Sequence, residues 1–211
     1  MTLSLLFAYS FVVGFSAVVT PGPVTTAIVS ESARRGFIVG PLVAAGHALL
    51  ELIMVVLLAL GLSAGLNTPA ITTAIALIGG ALLLWMGAGM AWSALKGRIG
   101  LPKPGAHVKR FSNWQLIGLG VGATVVNPFW YVWWVTVAAT YILTAQALGW
   151  AGVLAFYLGH ISADFLWDSA LSGVVGGGRR WITDGVYKTV IVVCGLYLIY
   201  LGGVFITSRG A

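Results

Sequence analysis

Of 211 residues, 59% are hydrophobic and only 8% are charged, with eleven Lys and Arg against five Asp and Glu. A soluble domain carries about 25% charged residues, so this chain cannot coat a water-facing surface and reads as an all-α integral membrane protein. In that solvent the basic excess points to loop anchors on anionic lipid rather than to nucleic acid, and the lone Cys194 excludes an internal disulfide, a CxxC redox pair and a structural zinc site.

A helix needs about 20 apolar residues to cross the hydrocarbon core. Six stretches qualify: 4–30, 37–62, 70–95, 113–145, 150–175 and 187–207. The first opens without a basic n-region, so it reads as a span and not a secretory signal. It contains Thr20-Pro21-Gly22-Pro23. Two prolines around a glycine remove helix hydrogen bonds and should interrupt the helix rather than bend it. Glu31, four before Arg35, is expected to pair with it at the interface. The second span carries "GHALLE" (46–51), which puts His47 and Glu51 on one helix face. After the third span, "KGRIGLPKPGAHVKR" (96–110) reads as a flexible link in which His107 is solvated.

The fourth span holds Asn127-Pro128, the second expected helix break, followed by Trp130, Trp133 and Trp134. The tryptophans suit either a cage for an ammonium group or, the favoured expectation, lipid-facing and interfacial packing. The fifth span carries "GHISAD" (159–164), which repeats the device with His160 and Asp164. Asp168, one turn on, either extends that polar face or reaches toward Arg179 and Arg180. Cys194 in the sixth span is read as a small buried apolar side chain. The spacings Gly36/Gly40 and Gly118/Gly122 are expected to allow close helix contact.

Basic residues fall after spans one, three and five (Arg34, Arg35; Lys96 to Arg110; Arg179, Arg180, Lys188), while the turns after spans two and four carry none. Positive-inside places both termini outside and the 96–112 loop in the cytoplasm. The chain also repeats itself: "AVVTP" (17–21) with "TVVNP" (124–128), "GHALLE" with "GHISAD", and "LWMG" (84–87) with "IYLG" (199–202), in the same order at nearly constant offset. Residues 1–95 and 113–211 therefore read as two three-helix repeats joined by 96–112. An odd number of spans per repeat inverts the second in the membrane.

On that geometry both His–acid pairs fall near the middle of a core about 30 Å thick, where an ionisable group costs about 2.5–3.5 kcal/mol. One reading is mutual satisfaction, each His bonding its own acid to lock packing. The other is a polar site that handles substrate, protons or both. Broken helices at matching positions of two halves favour the second, because they bare backbone N–H and C=O groups at the same depth.

The chain resembles the lysine exporter (LysE/RhtB-like) family of amino-acid exporters. The likeness rests on Pro21-Gly22-Pro23, the spaced Gly36, Gly40 and Gly46, the acid Glu51, "GL" at 61–62, and Asn127-Pro128 where the family has its second proline motif. It spans the whole chain and is strongest over 17–62. The resemblance implies export of amino acids or similar cations by a secondary mechanism on a three-plus-three scaffold. The chain departs from it where Phe129 replaces a basic residue after Asn-Pro, where Leu50 replaces a glycine before the acid, and in its doubled His–acid pairs.

The leading expectation is a proton-coupled secondary transporter in the cell membrane that exports an amino acid or small amine. Thr20, Pro21, Gly22, Pro23, Asn127, Pro128 and Trp130 would bind substrate. His47, Glu51, His160 and Asp164 would handle protons. The alternative uses those last four to carry a divalent metal cation as cargo. A structural protein would leave the repeat and the ionisable groups without a purpose, and no HExxH, GxSxG or Cys pair supports an enzyme. No cofactor is implied. The partners are a small-molecule substrate, protons and lipid, with oligomerisation left open.

Overall fold

The computed structural model describes residues 1–61, 69–98, 111–177 and 183–207, which are helix and turn throughout with no strand among them. Most of the expected linker, the uncharged turn at 62–68, His107, Arg179, Arg180 and Arg209 lie outside the described residues.

Helix α1 (Leu3–Val18) starts where the Thr2 side chain accepts from the Leu5 amide. It stops before the first proline, and α2 (Pro23–Arg35) begins after an extended Gly22, with Pro23 at its first position. Proline suits that position because its missing N–H has no helical partner there anyway. Gly36 then takes φ 75°, a left-handed conformation, and a 3-10 turn (Gly36–Ile38) leads into α3 (Val39–Ala59). Helix α4 (Pro69–Leu95) ends in a Schellman motif, in which Gly97 at φ 65° donates to Ala94 and Arg98 donates to Ser93. A capping box between Ser112 and Gln115 starts α5 (Asn113–Val125). The chain breaks at Val126-Asn127 and resumes as α6 (Pro128–Trp133), a π turn (Trp134–Ala138) and α7 (Ala139–Gln146). Helices α8 (Gly149–Gly177) and α9 (Asp184–Thr207) complete the described chain.

Three helical stretches among the described residues are long and apolar enough to cross a membrane: Pro23–Ala59, Ala76–Leu95 and Asp184–Thr207. At 37 residues the first would run about 55 Å if straight, nearly twice the core thickness, and Gly36 divides it. The other expected spans are cut or polar. Helix α1 has 16 residues before the break, the 113–145 stretch is broken at Asn127, and α8 carries His160, Asp164 and Asp168 along its 29 residues.

Helix α1 packs along α8, α3 packs against α5 and α8, and α4 pairs with α9. Small residues set these contacts. A Cβ on Gly46 would run into the Ile117 carbonyl, and one on Gly120 into the Val43 carbonyl. The expected Gly118 and Gly122 face open space. Gly120, midway between them in sequence and so on the other side of the helix, makes the close approach to α3. Apolar side chains face outward on α3 (Leu49, Leu52, Ile53, Leu57), while Glu51 between them is 1% exposed. That inversion of a soluble protein's pattern suits a lipid surround.

The tryptophans depart from expectation. Trp130, Trp133 and Trp134 are buried, and they pack with Leu6, Val55, Leu58 and Phe156 in the largest core cluster. Their i, i+3, i+4 spacing puts all three on the inner face of the helix that restarts after Asn127. Glu31 pairs with Arg34 at 2.9 Å instead of Arg35, whose guanidinium goes to the Phe111 carbonyl and to Asn113 Oδ1 at 3.0 Å.

Candidate functional site

The two His–acid pairs meet. His47 and Glu51 on α3 and His160 and Asp164 on α8 converge, and Glu51 Oε1 lies 3.0 Å from both His47 Nε2 and His160 Nε2. His160 Nε2 stands 3.7 Å from Asp164 Oδ2. His47 bonds the acid of its own helix, whereas His160 bonds the acid of the other helix more closely than its own. All four side chains are buried, as is Asp168.

The hydrogen bonds fix where protons sit. Thr124 Oγ1 on α5 donates its single hydrogen to the Gly120 carbonyl at 2.8 Å. His47 Nδ1, 2.6 Å from that oxygen, must then be the donor to it. A neutral His47 leaves Nε2 bare against a carboxylate oxygen. One proton must lie between them, either on His47 as imidazolium or on Glu51 as the acid. On the other side His160 Nε2–H donates to the same oxygen, while Nδ1 is buried without a partner. Its ring is held by aromatic faces, stacked on Trp133 at 4.6 Å and edge-on to Trp134 at 5.4 Å. Gly14 on α1 leaves the space that His160 Nδ1 fills.

These groups border a cavity of about 60 Å³, enough for a few waters. Thr20, Gly22, Asn127 and Trp130 line it together with His47, Glu51, His160 and Asp164. Pro21 and Pro23 do not. Pro23 instead starts α2, so that the amides of Val24 and Thr25, which line the cavity, lack an acceptor within the helix. Pro128 likewise starts α6. Residues outside the expected set also reach the cavity, among them Asp168, four residues beyond Asp164, and Trp133 and Trp134. The i+4 step was readable in sequence for Asp168. Thr124 had no signal, because its role depends on how α5 is rotated against α3.

The cavity is rich in acceptors. Glu51 Oε2, Asn127 Oδ1, Asp164 Oδ2 and Asp168 Oδ2 are buried there without a hydrogen-bond partner. Among the described residues no Lys or Arg lines it. Such a lining suits a group that brings donors, and an ammonium brings three and no acceptor.

No curated protein and no solved structure matches the chain. A model of the LysE type translocator family matches residues 15–209, nearly its whole length. The chain therefore belongs to the LysE type translocator family, which is made up of membrane transporters rather than enzymes.

Proposed function

We propose that this translocator exports an amino acid or small amine across the cell membrane in exchange for protons. The observation that carries the reading is the single cavity in which Glu51 holds both histidines and four buried acceptor oxygens stand unmatched. The substrate ammonium takes Asp164 and the Asn127 side chain. Its other polar end takes Thr20 and the free amides that follow Gly22. Pro21, Pro23 and Pro128 act by breaking the helices, and Trp130 walls the site. Protons pass on His47, Glu51, His160 and Asp164. Uptake of a panel of amino acids and amines into vesicles under an imposed pH gradient tests this. Accumulation of at least one is expected, and a gradient without effect on any would contradict it.

The proposed scaffold is six spans in two inverted repeats, 1–95 and 113–211, with both termini outside. The packing supports it by reciprocity. Helix α1 of the first repeat lies on α8 of the second, and α5 of the second lies on α3 of the first. A Cβ on Gly46 would meet the Ile117 carbonyl, and one on Gly159, its repeat counterpart, would meet the Phe7 carbonyl. Gly87 and Gly195 contact each other's carbonyls between α4 and α9, as the two third helices of such repeats would. A single cysteine at 66 should label from outside and one at 105 from the cytoplasm. Labelling of both from one side would defeat this topology.

A second reading, a divalent metal as cargo, draws on one observation: ligand atoms of His47, Glu51 and Asp164 lie within 4.8 Å of one another. Donors on a tetrahedral zinc, about 2.0–2.2 Å from the ion, stand roughly 3.3–3.6 Å apart, so the cluster would have to tighten. Calorimetry with zinc and manganese separates the readings. The amine reading predicts no stoichiometric binding, and one ion bound per chain and lost in His47→Ala would favour metal.

A further inference from the structure

Helix α2 has a cavity on each side. Val24 and Thr25 face the central one, while Pro23, Thr26, Ser30 and Arg34 line a second cavity of about 570 Å³. The spacing of those four residues, three and then four apart, makes them one stripe of the helix. Opposite them stand Met90 and Ser93 of α4 and Tyr187 of α9. The α4–α9 pair meets α2 through a small apolar cluster that includes Val29, Ala33, Ala94 and Ile191. The space beside that cluster stays open, and its volume falls in the range of small-molecule sites.

The two cavities have opposite character. Among the described residues the central one is lined by Glu51, Asp164, Asp168, His47 and His160 and by no Lys or Arg, whereas the second is lined by Arg34 and Arg98 and no Asp or Glu. Arg34 spends Nη1 on Glu31 Oε1 at 2.9 Å, which leaves other guanidinium donors for a ligand. Arg98 is set at the cavity by the Schellman turn that closes α4, its amide bonded to the Ser93 carbonyl at 2.9 Å. Hydroxyls of Thr26, Ser30 and Ser93 run from the arginines along the cavity wall. Thr26 sits at the break itself, donating to the Gly22 carbonyl at 2.9 Å. The polar stripe thus connects two guanidiniums with the N-terminus of a helix that is free of α1.

We propose that this second cavity is a substrate vestibule. It takes the amino acid by its carboxylate on Arg34 and Arg98, and movement of α2 about its breaks at Gly22 and Gly36 passes the ammonium to the acids of the central cavity. The proposal rests on the amino-acid reading above and adds a second binding site to it. Charge complementarity argues for this occupant: the arginines offer a carboxylate full positive charge, where the central cavity offers it only the Thr20 hydroxyl and the amides after Gly22.

The test uses the full chain in vesicles of known orientation. KM is measured from each side for lysine and leucine and for their decarboxylated counterparts, cadaverine and isoamylamine. Arg98→Gln should raise KM for the amino acids by about tenfold, as expected for loss of a charge-assisted pair, only from the side on which Arg34 and Arg98 lie. KM for the decarboxylated compounds should not change. Ser30→Trp, which fills the cavity and keeps both charges, should slow flux from that side for all substrates. Unaltered KM and flux in both variants would overturn the vestibule. So would an equal rise from both sides, or an effect that appears only when the vesicles contain phosphatidylglycerol, which would make the cavity a lipid-headgroup site. A wild-type protein that carries neither these four compounds nor any other amino acid or amine of the panel would instead overturn the transport reading on which the vestibule depends.

Discussion

Glu51→Gln is expected to abolish transport driven by a pH gradient while the protein still folds. Both 3.0 Å contacts are made by one atom, Oε1, so the glutamine oxygen in its place still accepts from His160 Nε2–H while the hydrogen bond with a neutral His47 Nε2 is lost. The proton shared between His47 and Glu51 is gone, because an amide does not titrate. Net flux should fall to the level of empty vesicles, while substrate exchange without net flux persists if Glu51 serves protons alone. Asp164→Asn extends the argument: because Asp164 lines the cavity and is proposed to take the substrate ammonium, this variant should also weaken substrate binding, and exchange should fall with flux. Uptake assays with and without a gradient, on protein that elutes as a folded species, check both. Wild-type gradient-driven rates in both variants would reduce the two pairs to packing devices.

The second large effect is on assembly. Gly46→Val should destabilise the protein by about 3 kcal/mol, the upper part of the usual overpacking range, because the new side chain meets the Ile117 backbone carbonyl rather than a movable side chain. At about 2–4 °C per kcal/mol for a chain of this size, the melting temperature should drop by about 6–12 °C. Gly118→Ala, one residue beyond Ile117 but facing open space, should leave it unchanged or slightly raised through better helix propensity. Thermal unfolding of the two purified variants in detergent gives the comparison. Equal shifts would mean that α3 and α5 do not approach through Gly46.

Residue spacing alone carried the site a long way. The i, i+4 pairs at 47/51 and 160/164, with the proline motifs at matching places in the two halves, were enough to nominate the groups that converge on one cavity. Spacing could not say that one oxygen of Glu51 would meet both histidines, because this depends on the rotation of α3 against α8. Rotation is hard to read here for a physical reason. In a water-soluble helix the polar face marks the outside, but in lipid both the packed and the exposed faces are apolar. Leu52 and Val55 on α3 look alike in sequence, yet one is exposed and the other fully buried. The same uniformity hid the orientation of Trp130, Trp133 and Trp134, and it made Gly118/Gly122 look as good a contact as Gly120. The second cavity was illegible for a different reason. Its stripe of Thr26, Ser30 and Arg34 reads as one helix face only once the break has made 23–35 a separate helix.

The proposed exchange of substrate for protons through one cavity can be followed directly. The most direct measurement follows lumenal pH with a trapped dye while a transported amino acid is driven across vesicle membranes by its own gradient, with the voltage clamped. The account predicts a proton flux opposite to the substrate, in fixed ratio, absent in Glu51→Gln. Substrate flux at full rate with no change in lumenal pH would contradict it.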